Sequence, residues 1–137
     1  YPDIADAFIG IAETNLLMRE FAAVSDDVAY RRAGMAARRA VEIAPNSPAA
    51  LRALGFVTFW GERRHADGLA LLKRAVALAP GDARTLHWLA TTATALDRPH
   101  EGMELLLRAR QIDPQSSAIA ADLAYMRYLA GDRATAV

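Results

Sequence analysis

The chain has 137 residues, 16 basic and 16 acidic side chains, zero net charge and no cysteine. Neutrality removes the global case for nucleic acid or an anionic surface as a partner, and the missing cysteine excludes disulfides, thiol chemistry and zinc thiolates. Alanine supplies 31 of the residues and strand-building runs of Val, Ile and Thr are missing, so an all-α fold is expected, as one domain over 1–137 with a continuous core. Taken in order, Tyr1-Pro2-Asp3 starts a first helix, with Ile4, Phe8, Ile11, Ala12 and Leu16 at helical spacing to about Arg19. Phe21 to Asp27 is a longer connection, with Ser25 or Asp26 as the N-cap of a second helix. That helix carries Ala29, Ala33, Ala37 and Ala40 on a narrow small-residue face and stops at Ala44-Pro45. Helix three is expected over Pro48–Trp60 and helix four over His65–Leu78, followed by the stop and cap Pro80-Gly81-Asp82. Helix five covers Ala83–Leu96, helix six runs from Pro99 to Ile112, and helix seven covers Ser117–Ala130. Gly131-Asp132-Arg133 is a further turn, and the chain ends just inside an eighth helix.

The prolines at 45, 80 and 114 give periods of 35 and 34. At 12, 8 and 5 residues before them stand Ala33, Ala37, Ala40, then Gly68, Leu72, Ala75, then Gly102, Leu106, Ala109. At 6, 9 and 10 residues after them stand Leu51, Leu54, Gly55, then Leu86, Leu89, Ala90, then Ala120, Leu123, Ala124. Small residues mark close helix crossings and the leucines fill the space between neighbours. One helical hairpin cannot bury its apolar face alone, so hairpins of this kind stack. The alignment puts one extra residue of the second unit at the Gly61–His65 turn.

This period, the Leu-Gly or Leu-Ala pair in each first helix, the two small residues around a larger one in each second helix and the closing proline resemble the tetratricopeptide repeat. The resemblance covers nearly the whole chain, with repeats at about 5–47, 48–82, 83–116 and a truncated 117–137. The first repeat matches through Phe8, Ile11 and Ala12, but its turn is about nine residues too long, and Leu51 and Leu86 replace the usual large aromatic. The resemblance implies a right-handed α-solenoid of stacked antiparallel helix pairs, about 3.5 repeats and seven full helices. The long first turn, Leu86-His87-Trp88-Leu89-Ala90 and Ile119-Ala120-Ala121-Asp122-Leu123 are also similar to tetratricopeptide domains that follow a winged-helix DNA-binding domain in bacterial regulators of the CadC type. That likeness implies a sensing or assembly half of a transcription regulator, with no direct nucleic-acid contact by this fragment.

In such arrays the first helices line a concave groove. The alignment places Arg52, Phe56, Phe59 and Trp60 there from the second repeat, Arg84, His87, Trp88, Thr91 and Thr94 from the third, and Asp122, Tyr125 and Tyr128 from the fourth. Aromatics and arginine carry binding energy at interfaces, and the groove suits an extended peptide or a helix of a partner protein. Core packing is the competing reading for Phe56, Phe59 and Trp60. The carboxylate clamp of chaperone-binding members is not matched, since Ile9, Glu13 and Ala53 stand at its positions. Arg31, Arg32, Arg38 and Arg39, spaced by seven, form a basic stripe that reads as a solvated face or as a dock for an acidic partner.

No converging catalytic set appears. His65, His87 and His100 lack a paired carboxylate at ligand spacing, and no metal-binding or phosphate-binding motif is found, so neither catalysis, metal nor cofactor is expected. No apolar run reaches 18 residues, so no membrane span is expected. Tyr1 in place of an initiator Met is expected of a piece of a longer chain, and cytoplasm is favoured over periplasm. The leading expectation is therefore a protein-interaction module, the alternatives being a sensor or self-association domain of a regulator and a structural spacer. Homodimerisation is expected through the open end of helix seven, at Ile119, Leu123, Met126 and Leu129.

Overall fold

The computed structural model describes residues 2–131, and among them are seven α-helices and no strand. Tyr1 and the expected eighth helix lie outside the described residues. The helices are α1 (Pro2–Glu20), α2 (Asp26–Ile43), α3 (Pro48–Phe56), α4 (His65–Leu78), α5 (Ala83–Ala95), α6 (Pro99–Ile112) and α7 (Ser117–Leu129). The chain divides into two compact units, the first ending at Leu78 and the second beginning at Ala79. Each has its own core: Leu51, Val57, Phe59 and Leu72 in the first, Leu86, Leu106, Leu123 and Met126 in the second, all at most 2% exposed.

Local chemistry sets the helix starts. Val28 N–H donates to Ser25 Oγ, Ala50 N–H to Ser47 Oγ, Thr85 N–H to Asp82 Oδ1 and Ile119 N–H to Ser116 Oγ. The last three caps stand two residues after the prolines at 45, 80 and 114, so each repeat starts its first helix in the same way. Each such cap stabilises by about 1 kcal/mol.

The hairpin turns also share one device, a residue in the left-handed region: Ala22 (φ 57°), Arg63 (φ 58°), Asp97 (φ 52°) and Gly131 (φ 98°). After Ala22, Ala23 N–H reaches back to Met18 O at 2.8 Å, and after Asp97, Arg98 N–H reaches Ala93 O at 2.9 Å. These bonds close Schellman motifs that satisfy the last helical carbonyls. After Arg63 the same bond reaches one residue further, from Arg64 N–H to Thr58 O at 3.0 Å.

That longer reach locates the extra residue of the second repeat. Arg63 precedes Gly68 by five residues, as Asp97 precedes Gly102, so the link is of normal length. The surplus lies inside the helix, where α3 widens into a π-helical segment, Val57–Gly61, closed by Glu62 N–H to Val57 O at 2.9 Å. The expected placement at the Gly61–His65 turn is thereby corrected. An inserted residue is taken up as a π-bulge because one wide turn preserves the register of the helix on either side. The nine surplus residues of the first repeat behave similarly. Three lengthen α1, four lengthen the start of α2, and two lengthen the link.

The small residues sit where helices touch. A Cβ on Gly55 would lie 2.8 Å from Leu72 Cγ, and one on Gly68 would lie 2.6 Å from the Phe59 backbone nitrogen. α4 therefore crosses directly on the π-helical backbone. Gly102 is held by softer neighbours, Met126 Cε at 2.9 Å and Ala93 Cβ at 3.0 Å.

Candidate partner-binding faces

In the second unit, α5 and α7 present the predicted polar and aromatic residues on adjoining faces. His87 Nε2 on α5 and Asp122 Oδ2 on α7 are 2.6 Å apart, with side chains 17% and 41% exposed. The sequence reading that His87 has no paired carboxylate is corrected by this contact. The partner is 35 residues away in sequence and adjoins only when the repeats stack. Around the pair, Trp88 and Thr91 are half-buried, Arg84 is exposed, and Tyr125 and Tyr128 are 51% and 48% exposed. Thr91 Oγ1 donates to Trp88 O at 2.7 Å, a bond within α5 that holds the hydroxyl against its own helix.

The first unit treats its predicted groove residues differently. Arg52 is only 5% exposed and reaches across from α3 to Glu13 Oε1 on α1 at 2.7 Å. It ties the first two hairpins together, so the expectation of an Arg52 free to meet a ligand is corrected: its guanidinium is already engaged by a carboxylate. Phe56 is half-buried, 6.4 Å from Trp60 between ring centroids. Phe59 is fully buried and stacks on His65 at 4.5 Å, which makes it core. Trp60 is half-buried, and its buried Nε1 has no hydrogen-bond partner among the described residues.

The basic stripe of α2 is partly neutralised. Arg38 pairs with Glu62, and Arg39 with Glu42 at 2.9 Å, while Arg31 and Arg32 are exposed. Beside them Tyr30 packs against Gly61 and lies under the Arg19 guanidinium, 5.2 Å from the ring centroid. Burial pushes the Tyr30 hydroxyl above its ordinary range, against the opposing pull of Arg19.

The helix-seven seam is likewise corrected. Ile119, Leu123 and Met126 are 2%, 2% and 1% exposed and Leu129 is half-buried; Met126 meets Gly102 of α6, so the three buried members are covered within the unit. Among the described residues no group of three or more acidic, His or Cys side chains is placed to hold a metal ion, and no helix is long and apolar enough to cross a membrane.

A family profile described as tetratricopeptide repeat matches residues 59–136, more than half of the chain. The protein belongs to the tetratricopeptide repeat family. Solved structures share the fold. PilF of Pseudomonas aeruginosa superposes with a TM-score of 0.79 at 24% identity, over 96% of this chain and 56% of that one. The O-GlcNAc transferase of Thermobaculum terrenum superposes with a TM-score of 0.75 at 24% identity, over 91% of this chain. The tetratricopeptide chain thus spans only 22% of that transferase and about half of PilF. The first tetratricopeptide domain of Spaghetti (RPAP3), solved bound to the HSP90 peptide SRMEEVD, superposes with a TM-score of 0.68 at 14% identity, over 97% and 96% of the two chains. A search of curated proteins finds no match.

Proposed function

We propose that this tetratricopeptide protein is a non-catalytic interaction module that takes up a segment of a partner protein along the α5–α7 face of its second unit. The carrying observation is the His87–Asp122 contact at 2.6 Å, which brings the two first-helix faces side by side. Trp88 and Tyr125 flank the pair as apolar anchors, and Arg84 with the half-exposed Asp122 carboxylate supplies polar recognition. The peptide-bound Spaghetti domain supports the mode of use, since the same fold holds a segment there. It does not supply the ligand. The clamp positions of this chain are occupied by buried Ile9 and Ala53 and by Glu13, which is held by Arg52. A capture of an acidic C-terminal tail by that device is therefore not part of the proposal.

The test is selection of peptides from a displayed random library on the 137-residue chain, followed by calorimetric titration of the selected sequences. The double variant Trp88→Ala, Tyr125→Ala is expected to weaken binding by roughly 30-fold or more, as truncation of two aromatic anchors does. The double variant Arg31→Ala, Arg32→Ala is expected to bind normally. Peptides that bind the first variant unchanged would remove this face from the reading, and loss with the second would transfer it to the basic stripe of α2.

A further inference from the structure

Asp122 and Tyr125 stand about one turn apart on one face of α7, and Asp26 and Tyr30 stand likewise on α2. The α2 pair is occupied by the chain itself. The Arg19 guanidinium lies over the Tyr30 ring, 5.2 Å from its centroid, and 3.9 Å from Asp26 Oδ1. A guanidinium suits such a pair because it is flat: its face stacks on a ring while its edge meets a carboxylate. The α7 pair is not filled in this way. Among the described residues no arginine or lysine meets Asp122 or Tyr125. His87 Nε2 lies 2.6 Å from Asp122 Oδ2, and a carboxylate accepts about four hydrogen bonds, so Oδ1 keeps its capacity. A carboxylate that served only to hold its neighbour would be closed in, as Glu13 is against Arg52. The Glu13 side chain is 22% exposed, that of Asp122 41%. The contact with His87 also fixes the Asp122 carboxylate in place before any ligand arrives, which lowers the ordering cost of binding.

We propose that the partner segment taken up on the α5–α7 face carries an arginine, whose guanidinium donates to Asp122 Oδ1 and lies over the Tyr125 ring. The inference rests on that face being the partner site, and it adds the chemistry the site selects. Lysine fits less well, since its ammonium is a compact, strongly hydrated charge with no flat face for the ring. An acidic side chain at the same point meets the carboxylate with like charge and is rejected. The arrangement that Arg19, Tyr30 and Asp26 form within the first unit is thus completed in the second by a side chain from the partner.

Titration of the isotope-labelled 137-residue chain with N-acetyl-arginine amide, followed by NMR, tests this. Saturable shifts are expected at His87, Asp122 and Tyr125. Asp122→Asn keeps the shape of the side chain and an acceptor for His87, and should weaken the binding about tenfold. N-acetyl-norleucine amide, of similar length but uncharged, should leave these resonances in place. No shift in the wild type, equal shifts with the norleucine compound, or undiminished binding by Asp122→Asn each overturns the proposal. Peptides selected from the displayed library keep its failure apart from that of the site. Peptides that need Trp88 and Tyr125 but carry no arginine, or that tolerate Asp122→Asn, leave the site standing and remove the arginine. Peptides indifferent to both aromatics remove the site, and the proposal with it.

Discussion

The hairpin α3–α4 and the hairpin α5–α6 follow one alignment, and they differ in where rigidity is placed. In the first, the helix backbone widens into a π turn, and Gly68 of α4 rests on the Phe59 backbone 2.6 Å from where a Cβ would stand. In the second, the corresponding Gly102 meets the flexible end of Met126. The bonds between repeats differ in the same sense. Arg52–Glu13 is nearly buried, whereas His87–Asp122 lies half open to water. The first unit uses its polar side chains to hold itself together, and the second keeps them at a surface where a partner can compete for them.

Adding a methyl group is the sharpest way to break this comparison. Gly68→Ala should destabilise the first unit by about 3 kcal/mol, because backbone cannot move aside, while Gly102→Ala should cost about 1 kcal/mol as Met126 changes rotamer. Urea unfolding followed by tryptophan fluorescence separates the units, since Trp60 lies in the first and Trp88 in the second. Phenylalanine variants leaving one tryptophan at a time report each transition. Equal losses at the two glycines would show that the crossings are equally soft.

The ion pairs come next. Glu13→Ala leaves the Arg52 guanidinium, 6% exposed as a side chain, without its α1 carboxylate and should cost about 2 kcal/mol in the Trp60 transition. Asp122→Ala should cost less than about 1 kcal/mol, because its half-exposed carboxylate is partly solvated. A loss at Asp122 as large as that at Glu13 would mean that the α5–α7 contact is structural, and the face would be less available to a partner.

The smallest effect expected is at high pH. Burial raises the Tyr30 pKa above its ordinary value of 10.0, so the folded chain holds the phenol proton more tightly than the unfolded chain. This contribution is complete below about pH 10 and is lost as pH rises through the folded value. The Trp60 transition should therefore weaken with increasing alkalinity in the wild type, and Tyr30→Phe should flatten that dependence while the Trp88 transition is unaffected. An identical slope in the variant would assign the loss to other groups.

What the sequence determined by itself is everything carried by short-range spacing. Two helix starts followed from Ser25 or Asp26 and from Asp82, and helix stops from the prolines. The stacked hairpins followed from the recurring set of Gly68, Leu72 and Ala75. These signals are legible because a cap or an apolar face depends on residues within about four positions of each other. The extra residue was visible as a period of 35, but its place was not: a turn and a helix lengthen equally in sequence, and only the five residues from Arg63 to Gly68 show that the link is normal. Tertiary structure alone decided that Arg52 meets Glu13, 39 residues away, and that His87 meets Asp122, 35 residues away. It also decided that Ile119, Leu123 and Met126 are buried while Ile4, Ile11 and Phe21 are not. Ile119, Leu123 and Met126 on α7 and Ile4 and Ile11 on α1 alike stand at apolar helical spacing. Which one is covered depends on the neighbours that the fold places beside it, and no spacing within one helix records them.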